Sequence, residues 1–322
     1  MGPRRTFLVA ILVFSAGGLS AASDPRTGGN TLREFADAQV TAVAGAACAL
    51  TGDLGVGAVN PAALATLRGA HLSTQFQSSL GDARTGLLSY GRSGTVAGWS
   101  VSAVLLDAGS IEIVPLSGPT TVRNAQRDMA FSLAGGWAVT RDLRFGAAVK
   151  TLNSTLVEEY HAAATAGDVG AQWDLSEKLT LGLSALNLGG KVTYRTVGDP
   201  LPTEYRAGLA YRFSAGEDNA MDFNRPRYAP SGGKKSFITL SGDAATDRFG
   251  SFSGALGLEW DYGHRAVFRL GGRGGDAGDG FTAGVGFWMR TFRLDYSYQG
   301  VGELPDRHRV TLSWFGTRRT PD

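Results

Sequence analysis

Cysteine is almost absent from this sequence, since Cys48 is the only one in 322 residues. One cysteine excludes an internal disulfide framework and a metal site built from cysteines. The four histidines are scattered, with no His-x-His or Glu-x-x-His spacing, which predicts that there is no metal site; they are His71, His161, His264 and His308. Basic and acidic residues nearly balance, 31 against 29. A neutral chain gives no electrostatic reason to expect a nucleic acid partner.

The sequence also lacks the short motifs that mark common enzyme sites. It contains no Gly-x-Ser-x-Gly elbow and no phosphate-binding loop. The isolated histidines form no Ser/His or Asp/His pair by spacing. The glycine-rich stretch 271–276 separates two predicted strands and is interpreted as a hairpin loop. We therefore expect a non-enzymatic protein with no catalytic residue and no cofactor.

Long apolar runs are missing except at the start of the chain. Residues 1–5 include two arginines, residues 7–14 are apolar, and Ser20-Ala21-Ala22 supplies the small residues of a cleavage site. This pattern predicts a secretory signal peptide over residues 1–22, with cleavage after Ala22. The apolar core is too short for a membrane anchor, which needs about 18 residues.

Alternating faces are the main positive signal, and they are clearest over residues 280–314. Phe281, Val285 and Phe287 share one face of a predicted strand, while Thr282 and Gly284 share the other. A period of two is typical of β-strands. The second face carries small residues and arginine, and the chain has only five lysines. This favours a transmembrane antiparallel β-barrel with lipid outside and a crowded lumen inside; a soluble all-β protein remains the alternative.

Strand patterns recur at regular spacing over residues 70–315 and give about 14 strands, an even number as bacterial barrels require. Around Asn187 the alternating pattern of apolar residues shifts by one position, which predicts a β-bulge. Two long connections, 110–126 and 217–235, are interpreted as external loops. Residues 316–322 form a C-terminal tail beyond the last strand.

The segment before the first strand, residues 23–69, does not alternate and is rich in alanine and glycine. Pro61 fits the first position of a short helix that runs to Leu67. This compact, apolar, helix-containing segment could plug the lumen of the barrel. An ordinary short surface helix is the alternative interpretation.

Charged residues occupy the less apolar parity of many strands and are therefore predicted to face the lumen. They are Asp168, Arg206, Glu259, Arg269, Arg293, Asp295 and Arg309, together with Arg144, Lys150, Arg212 and Asp261. Buried charges must pair or meet water. They form either a salt-bridge lattice that holds the barrel and the plug, or a polar wall that guides a ligand or a partner segment.

Several short motifs, taken in order, resemble PorV/PorQ-type outer-membrane proteins. They are Asn60-Pro61-Ala62-Ala63-Leu64, Asp168-Val169-Gly170, the 181–190 hairpin around Asn187, and Pro200-Leu201-Pro202 ahead of the 205–211 strand. The first supplies the candidate plug residues Asn60, Pro61, Ala62 and Leu64. Ala63 departs from the family pattern, which has glycine there.

The resemblance implies a 14-stranded barrel of the same broad superfamily as FadL-type channels, with its N-terminal segment in the lumen. It implies a scaffold or carrier in protein secretion or surface attachment, with outer-membrane lipid and exported proteins as partners. The alternative is a FadL-like channel for hydrophobic small molecules, which would pass a gap near the Asn187 bulge. An apolar pocket behind the plug favours the channel, and a sealed lumen with long ordered loops favours the scaffold.

Overall fold

The computed structural model describes residues 26–78, 83–114, 119–215, 236–263, 265–276, 280–301 and 304–316. The predicted signal peptide, His264 and all but the first residue of the predicted tail lie outside these ranges. Within them, no helix combines the length and the hydrophobicity needed to cross a bilayer.

The described chain is dominated by antiparallel strands. In chain order they are β1 (Ala70–Ser78), β2 (Arg84–Ser93), β3 (Ala97–Asp107), β4 (Ser110–Ile113), β5 (Thr121–Asn124), β6 (Gln126–Ala138), β7 (Leu143–Leu156), β8 (Tyr160–Ser176), β9 (Leu179–Gly189), β10 (Lys191–Thr193), β11 (Gly198–Pro200), β12 (Glu204–Ala215), β13 (Ser236–Asp247), β14 (Phe252–Tyr262), β15 (Ala266–Gly275), β16 (Gly280–Met289), β17 (Phe292–Val301) and β18 (Leu304–Phe315). Fourteen of them close into one barrel, while β4–β5 and β10–β11 form two separate hairpins. The predicted 14-stranded antiparallel barrel is confirmed.

Closure is made by the first and last strands, which pair from His71 with Phe315 to Ser78 with His308. A closed barrel leaves no strand edge unpaired, so the hydrogen bonds of its wall are satisfied within the sheet.

Side chains of the barrel are arranged with charge inside and apolar groups outside. In β17, Arg293 and Asp295 point inward and are 0 % exposed, whereas Leu294 and Tyr296 point outward and are 39 % and 38 % exposed. The same alternation runs round the barrel and gives a continuous aromatic and aliphatic outer face. A soluble protein buries its apolar face instead, so this arrangement is typical of a barrel surrounded by lipid.

The predicted bulge at Asn187 is confirmed. Gly167 pairs with Leu188 and Val169 pairs with Ala185, so β9 has an extra residue between these pairs. Asn187 has a φ of 54°, in the left-handed region that asparagine tolerates better than most residues. The bulge leaves Asn187 buried on the lumen side.

The barrel has two different ends. We call the end where β1 begins and β18 finishes the terminal end, and the other the hairpin end because it carries β4–β5 and β10–β11. The connection 110–126 lies at the hairpin end. Ala215 and Ser236, which flank the segment 217–235, lie at the terminal end, where Arg212 N–H donates to the Lys178 carbonyl. The two connections predicted to be external loops are therefore attached at opposite ends of the barrel, and residues 217–235 themselves lie outside the described ranges. Five barrel strands separate them, and an odd number of antiparallel crossings brings the chain to opposite ends.

The lumen is filled by residues 26–69, which we call the plug. The plug contains η1 (Asn30–Arg33), α1 (Ala38–Ala42), α2 (Leu54–Gly57) and η2 (Pro61–Thr66), where η denotes a 3₁₀ helix. It starts at the hairpin end, where Gly28 N–H donates to Pro200 O over 3.0 Å, and leads into β1 at the terminal end. Asp37, Asp53 and Asn60 cap the starts of α1, α2 and η2 with their side-chain oxygens.

Part of the wall beneath the plug is made of glycine. Four of these glycines are cross-strand partners in succession and form what we call the glycine track; they are Gly98, Gly136, Gly146 and Gly170. A Cβ on Gly146 would lie 2.2 Å from the carbonyl carbon of Pro61, and one on Gly170 would lie 2.1 Å from Asn60 Oδ1. The plug backbone therefore rests directly on the wall backbone, which any larger residue would prevent.

We predict that Gly146→Ala loosens the plug, because the added methyl group must push η2 off the wall. The expected cost is about 1–3 kcal/mol of unfolding free energy, as for other overpacked sites. Urea unfolding of the protein in lipid vesicles, followed by tryptophan fluorescence, measures this change.

Gly272→Ala is the matched control. Gly272 is exposed on the outside of β15, and a Cβ there would meet nothing within 4 Å. This substitution should change stability by less than about 0.5 kcal/mol. Equal losses for the two variants would contradict the role given to the glycine track.

Candidate functional site

All seven charges predicted to face the lumen lie on the inner wall. Six are buried, namely Asp168, Glu259, Arg269, Arg293, Asp295 and Arg309, and the side chain of Arg206 is 13 % exposed. Arg144, Lys150 and Asp261 are also buried, and Arg212 is half-buried with its guanidinium over the Phe237 ring. Three groups of these buried charges contact the plug, whereas Arg144 pairs with Asp174 on the neighbouring strand β8.

The largest group lies against the first half of the plug, and we call it the acid-rich network. Arg269 binds Glu259 over 2.8 Å and Asp295 over 2.7 Å. Asp295 also contacts Arg293, whose Nη2 lies 2.7 Å from the Asp53 carboxylate of the plug. Two guanidinium groups thus form ion pairs with three carboxylates, and one of those carboxylates belongs to the plug.

A second group holds the bulge between β8 and β9. Lys150 Nζ lies 2.8 Å from the Asp168 carboxylate and donates to Asn187 Oδ1 over 3.0 Å. Asp168 Oδ1 accepts the Asn187 backbone N–H over 2.7 Å. Lys150 also donates to the Leu32 carbonyl of the plug. This one ion pair therefore joins the bulge to the plug.

A third group lies on the other side of the lumen, on β12 and β13. Arg206 pairs with Glu204 and with Asp243, and it donates to the Gly45 carbonyl of the plug over 3.0 Å. Asp243 Oδ2 accepts the backbone N–H groups of Ala47 and Cys48, each over 3.0 Å. A small cavity of about 10 Å³ lies beside these groups, between Ala44 and the wall.

Uncharged polar side chains of the wall bind the plug backbone in the same way. Gln172 Nε2 donates to the carbonyls of Cys48 and Leu50 over 3.0 and 2.8 Å. Thr282 donates to the Ala42 carbonyl, and Thr311 accepts the Ala38 N–H. The inner wall thus supplies hydrogen-bond partners to a backbone that water does not reach.

The plug motif is an anchoring point. Asn60 is fully buried, and its Nδ2 donates to the carbonyls of Cys48 and of Ala171 in the wall, over 2.8 and 3.0 Å. Its Oδ1 accepts the Ala62 N–H. Pro61 begins η2, and Ala62 and Leu64, which belong to the same helix, are fully buried. Ala63, which replaces the family's glycine, does not have a positive φ, so the backbone here has no need of glycine.

Of the three apolar clusters in the described lumen, one takes most of its side chains from the wall, and we call it the apolar lumen cluster. It contains Leu32 and Phe35 of the plug, the wall residues Leu87, Val104, Ala130, Leu152, Ala162 and Ala166, and Val192 and Leu201 from the β10–β11 region. It lies towards the hairpin end and beside the bulge, because Lys150 contacts both Leu32 and Asn187. The inward parity of Leu87, Val104 and Leu152 was a sequence signal for this cluster that the search for inward charges missed.

Other contributors to the site also escaped the sequence analysis. Glu204 and Asp243 share the inward parity of their strands, so parity would have found them. Asp53 lies in the plug, where nothing alternates, and only its position ahead of a short helix distinguishes it.

The histidines do not come together in the structure. His71 is buried at the terminal end, and His161 and His308 are on the outer face. Within the described ranges, no three His, Cys, Asp or Glu side chains are arranged to hold a metal ion. The described lumen is therefore a filled interior that combines hydrogen-bonded polar groups with apolar clusters.

No protein-family model matches the chain, and no curated protein sequence matches it. Solved structures do resemble it in fold. The CymD monoaromatic hydrocarbon channel superposes with a TM-score of 0.56 at 12 % identity, covering 86 % of this chain and 96 % of that one. The Pseudomonas putida toluene transporter TodX gives a TM-score of 0.57 at 11 % identity, with the same coverage.

These similarities establish that the chain shares the barrel fold of these two channels, which leaves activity to be argued from the lumen itself. The PorV/PorQ-type relationship stays a prediction.

We predict that Lys150→Met destabilises the protein by about 3–5 kcal/mol, because it leaves Asp168 buried without its cation. The double variant Lys150→Met/Asp168→Asn should recover part of the loss, since no uncompensated charge remains. Urea unfolding of wild type, both single variants and the double variant gives the coupling energy.

The exposed pair of Arg127 and Asp107 provides the comparison. Their side chains are 67 % and 43 % exposed at a distance of 3.1 Å. Arg127→Met should cost about 0–1 kcal/mol, as exposed ion pairs do. If Lys150→Met cost no more than Arg127→Met, the pair with Asp168 would not hold the bulge.

Proposed function

We propose that this protein lies in the outer membrane and binds small hydrophobic molecules in its lumen, as a channel for their uptake. The apolar outer face supports the membrane location. The hairpin end is assigned to the outside, because all turns at the terminal end except the connection 217–235 are short, as on the periplasmic side of bacterial barrels. The two extra hairpins lie at this end.

The observation that carries the proposal is the apolar lumen cluster. The cluster brings large apolar side chains of the wall against Leu32 and Phe35 of the plug, with the Lys150 ammonium 5.4 Å from the centre of the Phe35 ring. Phe35 is 4 % exposed and Leu32 is 1 % exposed. Burying one such side chain is worth about 1.5–3 kcal/mol. A hydrocarbon of similar size that replaced the Phe35 ring would recover a similar free energy.

The bulge at Asn187 supplies the natural route to this cluster. Asn187 lies where the register of β8 and β9 shifts, and Lys150 joins it to Leu32 of the plug. In the state described here the route is occupied, so passage of a ligand requires the first part of the plug to move. That part contributes Leu32 and Phe35, so the same residues fill the apolar lumen cluster and block the route to it.

The similar structures support transport rather than catalysis, since they are a monoaromatic hydrocarbon channel and a toluene transporter. By analogy, the proposed ligands here are small hydrocarbons.

The scaffold hypothesis rests on two loops that would together bind exported proteins. Those connections, 110–126 and 217–235, are attached at opposite ends of the barrel, so they cannot form one binding surface. The similar structures do not support this hypothesis either. It keeps one direct test, which is mass spectrometry of the protein purified from outer membranes in mild detergent. A stoichiometric exported protein would favour the scaffold over the channel.

The channel is tested by uptake of radiolabelled toluene into cells that lack other hydrocarbon channels. We expect wild-type protein to raise the rate above that of cells without the protein. We also expect Phe35→Ala to bind toluene more tightly in detergent, because a dry apolar cavity then replaces the ring.

Phe131→Ala is the matched control for the cavity. Phe131 is on the outer face of β6 and is 47 % exposed, so its loss opens nothing in the lumen. Toluene binding by Phe131→Ala should equal that of wild type. The proposal is wrong if wild type gives no uptake above cells without the protein and Phe35→Ala binds no toluene.

A further inference from the structure

A carboxyl group of the plug sits unpaired inside the protein. Asp37 is 2 % exposed, and its Oδ1 accepts the Val40 N–H over 3.0 Å to cap α1. Its other oxygen, Oδ2, has no hydrogen-bond partner. The group is tightly enclosed, since a Cβ on Gly55 would lie 2.2 Å from the Asp37 carboxyl carbon. A buried carboxylate oxygen without a donor is costly if it carries charge.

The charges around Asp37 do not compensate it. Asp53 of the plug and Asp295 of β17 act on it with like charge, whereas Arg293 and Arg309 act on it with opposite charge. Arg293 is already bound to both of those carboxylates. Arg269, the other guanidinium of the acid-rich network, binds Asp295 and Glu259.

Two further titratable side chains face this region from neighbouring strands. Arg309 of β18 binds Glu34 over 2.7 Å and donates to Thr41 of α1. His71 of β1 acts on Asp53 rather than on Asp37. With Asp37 ionised, four carboxylates would share the two guanidinium groups of the acid-rich network.

The proton preference of the two aspartates follows from this arrangement. Burial, and then the negative charge of Asp53, raise the pKa of Asp37 to about 7. Burial raises the pKa of Asp53 too, but the charge and hydrogen bond of Arg293, the charge of His71 and the Gly55 N–H together outweigh it and lower the pKa of that carboxyl. Asp37 is therefore the member that holds a proton near neutral pH, while Asp53 keeps its ion pair with the wall.

We propose that Asp37 is a proton-controlled latch, which keeps α1 docked on β15–β18 while it is protonated and releases α1 when it ionises. The unpaired oxygen, the excess of carboxylates and the enclosed site carry this inference. Phe35 lies two residues before Asp37, so movement of α1 would draw Phe35 away from the apolar lumen cluster. This last link rests on the proposed function; the latch itself does not.

The raised pKa of Asp37 determines how the stability of the docked plug changes with pH. The pKa of Asp37 is about 7 in the docked plug and near its ordinary value of 3.8 when the plug is released. The docked state therefore holds its full extra stability below pH 3.8 and loses it as the pH rises to about 7. Above that value, docking should no longer depend on this group.

The latch is tested in the double variant Val40→Cys/Cys48→Ala, whose one thiol lies on α1. Val40 is 2 % exposed. The rate of labelling by a small thiol reagent is measured from pH 5.5 to 8, with and without Asp37→Asn. Asparagine keeps the Oδ1 cap but cannot ionise. The labelling rate with Asp37 is divided by the rate with Asp37→Asn at each pH, which removes the effect of pH on the thiol itself.

We expect this ratio to rise by up to about tenfold per pH unit below pH 7 and to level off above it. Glu34→Gln is the matched control, because Glu34 is a partly exposed plug carboxyl already paired with Arg309; the rise should persist in that variant. A constant ratio at every pH would overturn the latch.

The proton can also be observed directly by infrared spectroscopy. The difference spectrum of wild type minus Asp37→Asn should contain the carbonyl band of a protonated carboxylic acid at pH 6 and lose it by pH 8.5. Absence of this difference band at pH 6 would overturn the proposal independently. Neither measurement uses a hydrophobic ligand, so failure of the latch and failure of toluene uptake are separate results.

Discussion

A backbone that lies inside a closed barrel must find hydrogen-bond partners for its own amides, because the wall has used its backbone groups in the sheet. This requirement governs the interior of the molecule. Asp243, Gln172 and Thr282 answer it by turning polar groups towards the plug, and the glycine track lets the two backbones meet. The charges of the lumen are thus partly explained by what they hold, since Arg206 and Lys150 both donate to plug carbonyls.

The plug is held by two kinds of contact that differ in what can replace them. Residues from α1 onward are fixed by directional bonds, such as the ion pair of Asp53 with Arg293 and the three-way bonding of Asn60. A hydrocarbon offers none of these bonds. The first residues of the plug also form such bonds, for example from Lys150 to the Leu32 carbonyl, but the Leu32 and Phe35 side chains fill the apolar lumen cluster, and apolar contact is non-directional and exchangeable. An interior of this kind combines a firm anchor with a replaceable portion.

Much of the barrel was predictable from sequence, because strand parity alone separates the two faces. It put Arg293 and Asp295 inside, and it located the bulge at Asn187. The ends to which long connections attach needed a strand count as well as parity. The plug was beyond this method, because its backbone follows no period and its partners are distant in sequence. Asp53 and Arg293 are 240 positions apart, and nothing local to either residue indicates the other.

The arrangement of the plug has a consequence for how the chain folds. Helix η2 packs on β3, β6, β7 and β8, whereas α1 packs on β15 to β18. Segments near the start of the chain therefore need strands from both its middle and its end before they are fully buried. Contacts so remote in sequence predict slow folding. A fully buried plug therefore indicates that the barrel has closed, since its binding surface exists in full only after the last strand has joined the first.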